Sequence, residues 1–474
     1  MLGGDFMNHQ PHQACTSFLA GKLATLDGST LIARNEDNGV AIWPKKAVMH
    51  PADEVRENPF VSKGNQFTTP LPEHAVQYSA VPDNDPSAGD YGESGINAHR
   101  VAMSATESAY TNSRVLGVDP LVANGIAEDA MLTVVLPYVD SAQAGIKRLG
   151  QLVSTAGAAE SNGVLFSDPD EVWYMEIVSG HHWVAQRIPD DAYAVVANQL
   201  AIEDVDFDSP DFLTSPDIRQ FVQAHRLNPD GGRFNSRHIF GTHSIQDAHY
   251  NTPRVWYGHK LLTPSAFEEP TSMELPFIRH AEHKIGLDDV AAVLGSHYQE
   301  TPFDPIGSGD SADQHKFRAI GLARTENSHI LQFRRNVDVT RAGVIWQAFG
   351  NPAFNPYVPF YAAGDQLAAS YAEDNASYSA TNPYWQAKLL EVLSEDHYHA
   401  NRGLIDDFLK ATQSQAFQRV ATGDALDHPT AQELGTFNAA TAQAFTDSTQ
   451  AQIGKLVQAN AELSALSFKM DANL

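Results

Sequence analysis

An α+β fold built on antiparallel sheets is the expectation from this 474-residue chain, and three observations carry it. Short β-type runs follow one another in consecutive pairs, which favours antiparallel pairing. Two stretches, Ile126 to Leu136 and Ala142 to Ser154, place apolar residues at helical spacing. From Asn382 onward the strand signals stop, and Trp385 to Ser394, Gly403 to Ala411 and Phe445 to Leu466 read as amphipathic helices, a C-terminal helical extension.

The first candidate element is a hairpin. CTSFLAGKLATLDGSTLIAR, Cys15 to Arg34, has β-type runs on both sides of Asp27-Gly28, a dipeptide that favours a type I′ turn. Pairing Leu26 with Ser29 sets Gly21 opposite Arg34 and Phe18 opposite Asp37, and it returns the second strand toward Cys15. Arg34 and Asp37, three apart, face opposite sides of a regular strand, so the strand is expected to end near Asn35. Further expected strands are Arg100 to Ser104, Gly163 to Phe166, Val172 to Ile177, His182 to Gln186, Tyr193 to Ala197, Ile320 to Arg324, Ile330 to Phe333 and Val344 to Phe349. Pro210 to Ser311, rich in His, Asn, Pro and Asp, reads as loops or a lid, with a helical signal only near Asp217 to His225.

Composition bounds the function. The hydrophobic share of 42% and aromatic share of 9% are those of a folded globular protein, and the length is a prior for roughly two to four domains. Acidic residues outnumber basic ones 58 to 31, and the formal charge of −27 argues against nucleic acid or an anionic membrane as partner. The opening MLGGDFMNHQPHQA lacks the basic and apolar regions of a secretory signal, and no apolar stretch approaches transmembrane length. One cysteine excludes an internal disulfide framework and suits a reducing, cytoplasmic setting.

Taken alone, Cys15 reads as a buried small hydrophobe. Its setting is different: it follows a short polar leader, begins a β-type run, and precedes Arg-Asn-Glu-Asp at the hairpin return. The blocks CTSFLAGKLATLDGSTLIARNED, ESGINAHRVAMSATES, IAEDAMLTVVLP, NGVLFSDPDEVWYMEI, GHHWVAQRIPDDAYAVVANQ, IGLARTENSHILQ and IWQAFGNPAFNPYVPFYAAG, spread over most of the chain, resemble the C69 dipeptidase family. That family belongs with the cysteine N-terminal-nucleophile hydrolases, which include bile salt hydrolases and penicillin V acylases.

The resemblance implies a four-layer αββα sandwich with two antiparallel sheets. It divides the chain into a propeptide at 1–14, a catalytic domain at 15–381 and the helical extension at 382–474. It implies autocatalytic cleavage between Ala14 and Cys15, with Met7 an alternative start. The chemistry explains the cut: a thiol needs a base, and a freed α-amino group titrates near 7.7–8.0, whereas an amide nitrogen takes no proton.

Carried over residue by residue, Arg34 and Asp37 form an R-x-x-D element beside the nucleophile, Asn198 offers its amide to the oxyanion, and Arg324, with Arg318 as rival, is a second active-site arginine. Thr106 and Glu107 supply an oxyanion donor or substrate contacts, Glu107 being a candidate for a dipeptide's ammonium. Bland readings stand beside these: a surface ion pair for Arg34 and Asp37, a turn-closing Asn198, a solvent-facing Glu107. The implied function is a cysteine dipeptidase of broad side-chain specificity, acting on small peptides without cofactor and expected to be a homo-oligomer. An amidase acting on N-acyl amino acids or bile-salt-like amides, and a non-catalytic secernin-like protein, are the alternatives.

No metal is expected. His280 with His283 and His397 with His399 are spaced as pairs, but H-E-x-x-H is absent. G-x-S-x-G, a P-loop and a dinucleotide fingerprint are absent as well.

Overall fold

The computed structural model describes residues 15–466, so the 1–14 segment and the Ala14 side of the expected cleavage site lie outside the described residues. Twelve strands make the two large sheets: β1 (Thr16–Ala20), β2 (Thr30–Asp37), β3 (Ser94–Ile96), β4 (Ala102–Ser108), β5 (Asn162–Ser167), β6 (Val172–Ile177), β7 (Trp183–Ile188), β8 (Tyr193–Val196), β9 (Phe212–Thr214), β10 (Thr325–Phe333), β11 (Gly343–Phe349) and β12 (Val358–Tyr361). One sheet has the order β8-β1-β2-β10-β11-β12 and the other β9-β7-β6-β5-β4-β3. Neighbouring strands in both run antiparallel.

The two sheets face each other. On β1 and β2 the cross-strand pair Leu19 and Ile32 lies on the same face as Ser17 and Arg34, and it shares a buried cluster with Leu165, Tyr174 and Val184 of the second sheet. The opposite face of the second sheet, with Met103, Phe166, Trp173 and Met175, packs on helices α1 (Glu128–Val135) and α2 (Ala142–Ala156) through Met131, Ile146, Leu149 and Val153. Ser141 starts α2 by accepting a hydrogen bond from the Ala144 amide at 3.2 Å.

Helices α3 (Thr252–Leu262) and α4 (Leu287–Leu294) lie against β8 and β2, and three C-terminal helices, α5 (Pro383–Glu395), α6 (Tyr398–Asp424) and α7 (Ala431–Glu462), pack on β11 and β12. Asn382 caps α5, and a Thr430–Glu433 capping box starts α7. Both caps are visible in the sequence. Among the described residues no helix is long and apolar enough to cross a membrane.

Four expectations need correction. The β1–β2 register is shifted by four residues: Arg34 lies opposite Ser17 and Ala33 opposite Phe18. The reason is that Asp27-Gly28 is only the tip of a connection spanning 21–29. Gly21 bonds back to the Ala192 carbonyl, Leu26 to that of Ile285, and the Ser29 amide to the Asp27 side chain. Gly28 takes the left-handed φ of +77° that the tip requires. An even shift keeps the same residues on the same face, which is why Arg34 still faces the second sheet.

Strand β2 does not stop near Asn35 but runs through Asp37, because β10 pairs with it as far as Thr325. The expected strand at Ile320 to Arg324 is instead the turn before β10, whose first half, Thr325-Glu326-Asn327-Ser328-His329, is polar and fully buried. Finally, the segment read as loops or a lid contains helices at Ser236–Phe240, Ile245–Tyr250, α3 and α4. The buried side of α3 carries Arg254 and His259 among its apolar residues, which breaks the periodic signal.

Candidate active site

Cys15 lies one residue ahead of β1 and is fully buried. The pairing of β1 with β2 brings Arg34 to it: Nη1 donates to the Cys15 sulfur at 3.1 Å and to the Thr106 carbonyl at 2.8 Å. The other donors are committed as well. Nη2 reaches Glu93 Oε2 at 2.6 Å and the Ala105 carbonyl at 3.1 Å, and Nε reaches Ser104 Oγ at 2.8 Å. Burial works against the charge on Arg34, but Cys15, Glu93 and Glu36 outweigh it and hold the guanidinium cationic.

For the thiol the balance goes the other way. Burial pushes the Cys15 pKa well above its ordinary value; Arg34 opposes this, while Glu107, Glu128 and Asp37 add to it. A thiol so placed stays protonated at neutral pH until a local base takes its proton. His329, whose Nε2 lies 2.9 Å from Ser104 Oγ, is held neutral by burial and by Arg34 and adds no further positive charge.

Asp37 sits at the end of β2, where Arg318 forms an ion pair with one carboxylate oxygen and the Thr325 hydroxyl donates to the other. Arg324, the arginine favoured in the sequence, instead donates to the Asn38 carbonyl at 2.9 Å. Arg318, the rival, is the one that meets the carboxylate. Burial disfavours its charge, yet Asp37 and Tyr250 raise its pKa above the usual arginine value.

Asn198 follows β8 and is buried. Its amide nitrogen donates to the Ser108 carbonyl at 2.9 Å, and its oxygen accepts from Arg254 Nη2 at 2.8 Å. Arg254 was missed in the sequence. Its Nη1 donates to the Cys15 carbonyl at 2.5 Å and to Thr16 Oγ1 at 2.8 Å, so it ties the nucleophile's backbone to Asn198. A cation in the first turn of a helix opposes the helix dipole, a cue that only recognition of α3 makes readable. Burial and the nearby Arg318 bring its pKa down to about 10.

Across from Cys15, β4 supplies Thr106 and Glu107. The latter is buried, not solvent-facing: Oε2 accepts from Ser17 at 2.6 Å, while Oε1 and Thr106 Oγ1 have no hydrogen-bond partner among the described residues. Burial raises the Glu107 carboxyl to about 7, against the pull of Arg254, Ser17 and Arg34. Behind Arg34, Glu93 leads to Lys45, which pairs with Glu36 at 2.8 Å and Asp83 at 2.6 Å. Neither Glu93 nor Lys45 stood out in the sequence, because a buried ion pair has no spacing signature.

The chain matches the Peptidase family C69 model over residues 14–411. It belongs to peptidase family C69. As a member it is a hydrolase of the peptidase class. It is 46% identical over 465 residues to the "Probable dipeptidase" of Latilactobacillus sakei, covering 97% of this chain and 98% of that one. It is 41% identical over 468 residues to "Probable dipeptidase B" of Lactococcus lactis subsp. lactis (strain IL1403), covering 97% and 94%. "Dipeptidase A" of Lactobacillus helveticus is 41% identical over 408 residues, covering 85% and 86%. Among solved structures, penicillin V acylase from Agrobacterium tumefaciens matches at 15% identity with a TM-score of 0.34, covering 73% of this chain and 86% of that one, a likeness too distant to bear on fold or chemistry.

The histidines paired in the sequence meet separate carboxylates in this C69 chain: His280 meets Asp191, His283 meets Asp289 and His397 meets Asp396. Among the described residues, the groups that converge as metal ligands are His238, His243 and Glu274, at the surface. A cavity of about 410 Å³ between α4 and α6, bordered by Trp346, Tyr357, Tyr398 and Phe417, contains none of the residues around Cys15.

Proposed function

We propose that this C69 peptidase is a cysteine dipeptidase whose nucleophile, Cys15, becomes N-terminal when residues 1–14 are removed autocatalytically. The single observation that carries the reading is the contact of the Arg34 guanidinium with the buried Cys15 sulfur. The cation offsets a thiolate, but the strongly raised thiol pKa leaves a gap that a base must close, and a freed Cys15 α-amine is such a base. The names of the L. sakei, L. lactis and L. helveticus relatives support a dipeptide substrate.

In the proposed reaction the thiol proton moves to the α-amine as sulfur attacks the substrate carbonyl carbon. The tetrahedral oxyanion is met by the Asn198 amide and by β4 at Thr106. Collapse breaks the C–N bond, the α-ammonium returns its proton to the leaving amine, and water then hydrolyses the thioester, releasing the acid and the free thiol. Asp37, anchored by Arg318 and Thr325, holds the α-ammonium. Glu107, buried with one oxygen unpartnered, accepts the free ammonium of a dipeptide, and this preference separates a dipeptidase from an N-acyl amidase. Arg324 keeps a place in this reading through Asn38, next to Asp37. The four-layer arrangement belongs to the same reading and is supported by helices on the outer faces of two facing sheets.

Intact-mass measurement tests it. The wild-type chain is expected to lose residues 1–14 and hydrolyse free dipeptides, and Cys15→Ala to keep the segment and do neither. A fully active protein that retains its first residues would overturn the proposal. The same intact segment with no activity would favour the secernin-like alternative.

A further inference from the structure

The C-terminal helix α5 reaches into the catalytic body through one lysine. Lys388 is buried, and its ammonium donates to two backbone carbonyls, Ala323 at 3.1 Å and Thr325 at 2.8 Å. It also faces the carboxylate of Glu326 at 3.2 Å and that of Glu391, on its own helix, at 3.5 Å. Glu326 is the extra residue of a bulge in β10: Thr325 pairs with Asp37 and Asn327 with Glu36, leaving Glu326 between them.

The bulge is locked from several sides. Tyr384 of α5 donates to Glu326 Oε2 at 2.6 Å, the Gly350 amide donates to the Glu326 carbonyl at 3.0 Å, and the Asn38 amide donates to the Arg324 carbonyl at 2.9 Å. Glu391 is held in turn by the Asn351 amide and by Asn355 Nδ2. What the bulge delivers is the Thr325 hydroxyl, which donates to Asp37.

We propose that Lys388 is a positioning residue for the C69 reaction: by gripping the Ala323 and Thr325 carbonyls it sets the bulge that aims Thr325 at Asp37, and through Asp37 it orients the nucleophile. The C-terminal helices then complete the active site from behind. Physical plausibility comes from burial. A lysine ammonium has three donors, and here, in a buried position, they meet two carbonyls and carboxylates. Removing the cation takes a buried donor from the Ala323 and Thr325 carbonyls and leaves Glu326 held by Tyr384 alone, so the bulge has to rearrange, and Thr325 moves with it. The inference rests on Cys15 being the nucleophile.

The test compares full-length, processed Lys388→Met, Lys388→Arg, Thr325→Val and Thr325→Ser proteins. Two quantities are read: kcat and KM for one dipeptide, counted per iodoacetamide-titratable thiol, and the pH dependence of Cys15 alkylation. Lys388→Met and Thr325→Val are each expected to lower kcat about tenfold or more with KM changed by less than about threefold, since neither residue touches substrate. Both are expected to move the alkylation profile in the same direction and by the same amount, the double variant to go no further, and Lys388→Arg and Thr325→Ser to restore most of the rate.

A Lys388 that matters only for stability lowers the melting temperature while leaving kcat per thiol and the alkylation profile as in wild type, and that result overturns the proposal. Should Lys388→Met not fold, a Thr325→Val protein with wild-type kcat and profile overturns it equally. Cys15→Ala run in parallel separates the two claims: an active Cys15→Ala sinks the nucleophile reading itself, whereas an inactive one with unaffected Lys388 and Thr325 variants sinks only this inference.

Discussion

Arg34 donates at once to a thiol, three carbonyls, a hydroxyl and a carboxylate, a set that needs the planar fork of a guanidinium. A lysine has a point charge and three donors. Arg34→Lys is therefore expected to keep the fold by circular dichroism but to lower kcat/KM about a hundredfold, roughly 3 kcal/mol of transition-state stabilisation. Unchanged kcat/KM would remove Arg34 from the mechanism. Glu107 carries a second expectation at this scale. Its carboxyl is raised to about 7, chiefly by burial, so below that pH it takes a proton and can no longer pair with an ammonium. Hydrolysis of free dipeptides should decline as pH falls through about 7, and Glu107→Gln should cut it about tenfold or more while sparing N-acylated substrates. Equal losses on both substrate types would argue for a role other than reading the ammonium.

Among the elements, the β1–β2 connection is where local sequence and tertiary context part. Asp27-Gly28 does form a tight turn, and Gly28→Ala, at a φ of +77°, is expected to destabilise by about 1 kcal/mol. At Gly21 the constraint is not local: an added Cβ would stand 2.3 Å from the Pro189 carbonyl oxygen. Gly21→Ala should therefore lower the denaturation midpoint several times more than Gly28→Ala, and the reverse order would mean that the loop does not dock on that carbonyl. At α7 the Thr430–Glu433 capping box is a purely local device, and Thr430→Ala should cost about 1 kcal/mol in the same assay.

For the whole molecule, an acidic chain buries several carboxyl groups with too few cations. Burial, as the leading cause, raises Glu107, Glu176 and Glu391 to about 7 and Glu326 to about 8. A carboxyl whose folded pKa lies above its unfolded one, near 4.5, favours folding below the unfolded value, and that stability is lost as pH rises through the folded value. Repulsion within a net charge of −27 acts in the same direction. The melting temperature should thus fall between about pH 4.5 and pH 8. Glu176→Gln, away from the Cys15 contacts and with one carboxylate oxygen unpartnered, should flatten that fall. A melting temperature that rises over this range would contradict the burial of these groups as charged liabilities.

Some of this was legible residue by residue. Alternation and turn residues located Val172–Ile177 and its neighbours, helical spacing located α1, α2 and the C-terminal helices, and family-like blocks brought Cys15, Arg34, Asp37, Asn198 and Glu107 forward. Those signals are local, or lie within short blocks of the chain. What the chain alone left open was everything settled by partners far away in sequence. The β1–β2 register depends on docking against Pro189 to Ala192 and Ile285. The choice of Arg318 over Arg324 as the partner of Asp37 depends on a turn that the apolar Ile320, Leu322 and Ala323 disguise as a strand. Arg254, on a helix whose buried face is partly polar, and Lys388, at the opposite end of the chain from Cys15, were invisible for the same reason. A buried charge is tolerated only where tertiary packing brings its counter-charges, and no periodicity records where those will come from.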